Sequence, residues 1–192
     1  MSMCFYITST LPKDTKLDGL QEIFDKYNMA FNPIQNKSIQ AQLRPGELFF
    51  RTTKDYCDCD TVLGSFNNLQ EYQTLLNSKK IRTLKKKKWT KEEIDKWIRE
   101  KLKKGENSIN KKLTPMERDQ ETKRWIKFLH SLLDKQKVAR IGLIKHWYNR
   151  ELQNEEITIT RTDKININKI TPEFLLNLEE DVLYEFSSTH SF

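Results

Sequence analysis

The chain has 192 residues, enough for one sizeable core without staples, and its ten Phe, six Tyr and four Trp exclude disorder throughout despite a charged fraction of 32%. Three cysteines in this length do not make a disulfide framework, no apolar run approaches the roughly 18 residues that span a bilayer, and the first residues lack the basic and apolar regions of a signal peptide. The net charge of +7 is concentrated: residues 79–104 hold 13 Lys and Arg against four acids, a local +9, and the remainder sums to −2.

In chain order, Cys4 to Ser9 are β-branched and aromatic with no breaker, which predicts a strand in the middle of a sheet. Leu17, Leu20, Phe24 and Tyr27 recur at helical spacing, predicting a helix entered at Asp14 or Thr15 and closed by Asn32-Pro33. Ile39, Ala41 and Leu43 alternate with polar residues as in a strand, Arg44-Pro45-Gly46 reads as a turn, and Leu48 to Thr52 as another strand. After Thr61-Val62-Leu63-Gly64 the pattern becomes helical and stays so to about Gln136. Thr90 and Glu93 predict a capping box, with Trp89 and Ile94 as a hydrophobic staple, and Ile94, Trp97, Ile98 and Leu102 form one apolar stripe that Gly105 ends. Lys96 and Lys103 are expected to face solvent. Thr114-Pro115-Met116-Glu117 repeats the capping logic ahead of Trp125, Phe128, Leu129 and Leu132.

Val138 to Tyr148 returns to a strand pattern. The alternating segments 157–160 and 165–168 flank Thr162-Asp163-Lys164, which predicts a hairpin. Thr171-Pro172 opens a short helix, Val182 to Phe186 is a last strand, and residues 187–192 are a tail. Strand-rich ends around a helix-rich middle predict one α+β domain over 1–192: a mixed or antiparallel sheet built from N- and C-terminal strands, with a helical block at about 66–136 packed on it. With free thiols and no span, the expected location is the cytoplasm.

Two segments carry chemistry. Cys57-Asp58-Cys59-Asp60 follows a strand, and Cys4 opens one that should lie beside it, so Cys4, Cys57 and Cys59 with His146 as a fourth ligand form a candidate zinc site. One cysteine could instead be a nucleophile, with His130 or His146 as base and Asp58 or Asp60 orienting it. The plainer alternative makes the cysteines small buried hydrophobes and the aspartates turn formers. The second segment, Lys79, Lys80, Arg82 and Lys85, Lys86, Lys87, Lys88, holds seven bases with no acid among them, ahead of a helix N-terminus whose dipole disfavours cations. An external polyanion such as a phosphate backbone would answer that charge. Farther along, Glu92/Lys96, Asp95/Arg99 and Glu100/Lys104 stand four apart in the favourable order, an ordinary solvated face. Trp147 and Tyr148, beside His146 and Arg150, offer rings on which bases could stack.

Glycine loops for phosphates, His-Glu-x-x-His and Gly-x-Ser-x-Gly are all absent from the sequence. The leading expectation is a non-enzymatic binding protein whose basic helical region engages an acidic partner, nucleic acid first. A thiol-centred protein, zinc-binding or a cysteine-dependent enzyme, is the rival, and a protein-interacting adaptor or inhibitor without chemistry is the third reading.

Overall fold

A computed structural model describes residues 4–54, 57–59, 61–64, 75–76, 79–105, 113–134 and 137–188. The chain is α+β, with one mixed six-stranded sheet and six described helices. The strands are β1 (Cys4–Pro12), β2 (Met29–Pro33), β3 (Glu47–Thr53), β4 (Ile141–Tyr148), β5 (Arg161–Asn166) and β6 (Val182–Ser187). The helices are α1 (Gln21–Lys26), α2 (Lys37–Gln40), α3 (Lys79–Lys86), α4 (Lys91–Gly105), α5 (Pro115–Leu133) and α6 (Pro172–Leu176). Among the described residues no helix is long and apolar enough to cross a membrane. The residues fall into two compact units, 1–65 with 113–192, and 66–112.

In the first unit the sheet order is β2-β3-β1-β4-β6-β5, antiparallel throughout except for the parallel β5/β6 pair. The N-terminal strand is central, as its composition predicts, and it pairs with the C-terminal half of the chain from Cys4↔Tyr148 to Thr10↔Gly142. Alternation along β1 sends Ile7 and Leu11 into a core with Trp125, Phe128, Leu129 and Leu132 of α5. A second core on this unit gathers Ile39, Phe49, Ile144, Tyr148 and Ile157. α5 starts where the sequence places it: Glu117 N–H donates to Thr114 Oγ1 at 3.2 Å and Thr114 N–H to Glu117 Oε2 at 2.7 Å.

Three local patterns are overruled in this unit. The helix expected from Asp14 is a 3₁₀ turn at Leu17–Leu20 followed by the short α1, and Asn28, at φ +57°, turns the chain so that Asn32 and Pro33 lie in β2 rather than closing a helix. The alternation of Ile39, Ala41 and Leu43 belongs to α2, because Asn36 caps it by accepting from Ile39 N–H at 3.1 Å and so buries Ile39 and Leu43 four apart. The expected hairpin does not form. Thr162, Asp163 and Lys164 lie inside β5, pairing in parallel with Leu183, Tyr184 and Glu185, while Ile157 packs under α2 and its carbonyl accepts from Ser38 and Gln42. Residues 189–192 of the expected tail lie outside the described residues, and Ser187 closes β6.

The second unit contains α3 and α4. Thr90 and Glu93 form the expected box, at 2.7 Å and 3.2 Å, and Ile94 and Ile98 are buried with Ile81 and Leu84. The staple is not made as expected: Trp89 is 39% exposed, and α3 supplies the apolar partners of Ile94. Trp97 is half-buried rather than buried, and Lys96 faces solvent; the side chains of Leu102 and Lys103 lie outside the described residues.

Candidate functional site

The basic run is not a linker ahead of a helix. Lys79 to Lys86 is itself helical, so Lys85 and Lys86 occupy the last turn of α3, where the macrodipole favours cations, and the dipole mismatch inferred from the sequence does not arise there. The helix ends in a Schellman arrangement: Lys88 N–H donates to Lys85 O at 3.0 Å and Trp89 N–H to Leu84 O at 3.2 Å. Lys88 takes the left-handed position, φ +60°, that glycine ordinarily fills.

Lys85, Lys86, Lys87 and Lys88 are all exposed, and among the described residues none of them is in an ion pair. The neighbouring acids are committed elsewhere: Asp95 pairs with Arg99 at 2.8 Å, and Glu93 holds the Thr90 cap. For Lys79, Lys80 and Arg82 the backbone lies on α3 and the side chains lie outside the described residues.

The cysteine segment acts first as an edge closure. Among the described residues β3 pairs with β1 from Thr8 to Pro12, short of Phe5 to Ile7. Residues 57–59 take over. Asp58 N–H donates to Phe5 O at 2.9 Å, Ile7 N–H donates to the buried Asp58 Oδ2 at 2.7 Å, and Phe5 N–H donates to Cys59 Sγ at 3.2 Å. A carboxylate and a sulfur thus satisfy amides that a strand would otherwise bond. The turn behind is tight: Thr61 Oγ1 donates to Asp58 O at 2.8 Å, and a Cβ on Gly64 would lie 2.0 Å from that carbonyl oxygen.

Cys57 and Cys59 are half-buried. The Cys4 side chain and Asp60 lie outside the described residues, but the Phe5 amide is joined through one carbonyl carbon to Cys4 Cα, so about 6 Å at most separates that carbon from Cys59 Sγ.

Among the described residues His146 does not group with Cys57 and Cys59. It lies on β4, which flanks β1 on the side away from β3, and both ring nitrogens face carboxylates, Nδ1 bonding Asp181 and Nε2 lying 3.7 Å from Glu155 Oε1. Asp58 accepts from Ile7 N–H, and His130 is exposed on α5. The stacking pair is also occupied. Trp147 packs edge-on against Phe5 at 4.7 Å, and Tyr148 is 1% exposed.

The acids around His146 are legible only through the fold. Glu180 and Asp181 precede β6, where Asp181 N–H donates to Lys145 O at 2.9 Å, and Glu180 Oε1 accepts from Trp147 N–H at 3.0 Å. Glu155 Oε2 accepts from Asn149 N–H at 3.0 Å and Arg150 N–H at 2.6 Å. Burial alone would push the imidazole down, but the hydrogen bond and charge of Asp181, with Glu180 and Glu155, more than reverse it, so the His146 pKa is raised. Burial raises Glu180 and lowers Lys145 to about 8, against the pull of Glu180. Ligating atoms of His146, Glu180 and Asp181 lie within 4.8 Å of one another, a geometry able to hold a cation. The acidic run 179–181 is visible in the sequence; its meeting with a histidine 35 residues away is not.

Comparison with protein-family models finds no match, and comparison with curated proteins and with solved structures likewise finds no significant match.

Proposed function

We propose that this chain is a non-enzymatic binding protein whose basic helical unit engages an acidic macromolecule, nucleic acid first. The observation that carries this is the exposure of Lys85, Lys86, Lys87 and Lys88 at the end of α3 with no acid paired to them among the described residues. Four uncompensated ammonium groups in one short stretch gain by displacing the counterions of a phosphate backbone, and such contacts carry charge but little base identity. A salt titration of labelled duplex and single-stranded oligonucleotides tests this, with wild type against the variant in which all four lysines are glutamine. Binding at low salt is expected, with each lost phosphate contact flattening the salt slope by about 0.9 for duplex DNA and about 0.7 for single strands. No wild-type binding at low salt, where attraction is strongest, would end this reading.

A second reading rests on a different observation, the Phe5 amide donating to Cys59 Sγ beside Cys4. N–H donors stabilise thiolates, and three clustered cysteines would suit zinc, the fourth ligand coming from a residue other than His146 as it is now hydrogen-bonded. Three cysteines that do not make a disulfide framework fit a reducing compartment, the cytoplasm in this proposal. Elemental analysis of protein purified without added metal should then find zinc, and Cys57→Ser should lose it; metal-free protein with unaltered melting in that variant would sink the idea. Failure of both tests leaves an adaptor or inhibitor acting on another protein.

A further inference from the structure

We infer that the acidic partner is a single-stranded nucleic acid, one of whose bases stacks on Trp89 while its phosphates lie along Lys85, Lys86, Lys87 and Lys88. This rests on the polyanion reading above. Trp89 directly follows the lysine run and is the one tryptophan among the exposed large hydrophobic residues: Trp125 is 1% exposed, and Trp147 leans on Phe5. Among the described residues its indole has no aromatic or cationic ring partner.

The backbone that presents it is fixed from both sides. Trp89 N–H is spent on Leu84 O as the C-cap of α3, and Thr90 next in line caps α4. An exposed ring on a pinned backbone loses little conformational entropy on binding. The same cap engages the Leu84 and Lys85 carbonyls, which would otherwise aim their negative ends at an approaching phosphate. Lysine also occupies the left-handed position 88, keeping a charge next to the indole where glycine would be the less strained choice.

Lysines alone would favour duplex, whose charge density is higher. An indole face adds to binding only when a base is unstacked and free to lie on it, so the combination selects single strands.

The test uses the intact protein with fluorescent oligo(dT) and a duplex of the same length, comparing wild type, Trp89→Ala, Trp89→Phe and the four-lysine glutamine variant. Trp89→Ala should weaken oligo(dT) binding about 5- to 100-fold, leave duplex binding and both salt slopes unaltered, and abolish the quenching of tryptophan emission by oligo(dT). Trp89→Phe should restore most of the affinity, because a phenyl face still stacks, whereas the lysine variant should lose both ligands and flatten both slopes. Oligo(dT) binding by Trp89→Ala as tight as wild type, or an equal loss for duplex and single strand, overturns stacking while leaving polyanion binding intact. Absence of wild-type binding to either probe removes the polyanion reading and this inference with it.

Discussion

The sheet unit and the helical unit treat charge in opposite ways. In the sheet unit, several charges close to the core have partners within the molecule: Arg140 meets the buried Glu47 at 2.6 Å, Arg44 meets the buried Glu185 at 2.6 Å, His146 meets Asp181, and Asp58 takes an amide of β1. In the helical unit a small aliphatic core of Ile81, Leu84, Ile94 and Ile98 carries four lysines that point outward and meet no acid among the described residues. A buried ion without its partner is costly, so partners in the first unit report on folding; an exposed ion without one costs little, so the second unit is where charge is free for use.

The largest expected effect tests the core side of that contrast. Phe128, fully buried between α5 and the sheet, should cost about 3 to 5 kcal/mol when truncated to alanine. Trp97→Ala, at a half-buried position on α4, should cost clearly less, although the sequence pattern ranks Trp97 as core. Urea unfolding of both variants measures this, and equal losses would erase the distinction between a deep core and a thin one.

Next in size is the edge closure. Asp58→Ala strips the acceptor from the buried Ile7 amide and should destabilise by about 1 to 3 kcal/mol. Gly64→Ala should also destabilise, because its new methyl would meet the Asp58 carbonyl, a backbone atom with little room to move. Stability of Asp58→Ala equal to wild type would mean that the segment is not what completes β1.

These sites show what the linear pattern carries and what it does not. Capping boxes at Thr90 and Thr114 and the α5 stripe depend on residues three and four apart, so they are visible in the sequence and present in the fold. The hairpin expected around Thr162 fails for the opposite reason: its alternation is local, while the strand that pairs with β5 comes later and runs parallel to it. The cysteine segment draws attention for its thiols, yet the buried residue is the aspartate between them, whose role depends on β3 parting from β1 after Arg51. Trp89, assigned to a staple by its position before the cap, is exposed because α3 covers Ile94 instead.

A smaller effect separates paired charge by pH. The folded state raises the pKa of His146 above its ordinary 6.5, so it holds a proton that the unfolded chain releases; the stabilisation is complete below 6.5 and is lost as pH rises through the raised value. Glu180, also raised, works in the same direction from about its ordinary 4.5 upward, so the two must be separated by variants. Asp181→Asn should lower the His146 titration followed by imidazole NMR and shrink the contribution of His146 to the stability slope above 6.5. A His146 titration at the same pH in Asp181→Asn would show that Asp181 does not supply the shift.

The smallest expected effect on folding is also the sharpest test of the unpaired side. Replacing Lys85, Lys86, Lys87 and Lys88 by glutamine removes four charges from exposed positions where no ion pair is broken among the described residues. Surface changes of this kind usually stay within about 0.5 kcal/mol, and what is lost at Lys85 and Lys86 is only the favourable interaction of cations with the last turn of α3. Lys88 is the position to watch, because its left-handed backbone is retained whatever the side chain, and Lys88→Gly should relieve strain and raise the melting temperature slightly. Oligonucleotide binding, by contrast, should respond to every lysine removed. If the glutamine variant melts well below wild type, the run is holding the helix together and the contrast between the units collapses; if it melts with wild type but binds as before, the free charge is not the contact surface.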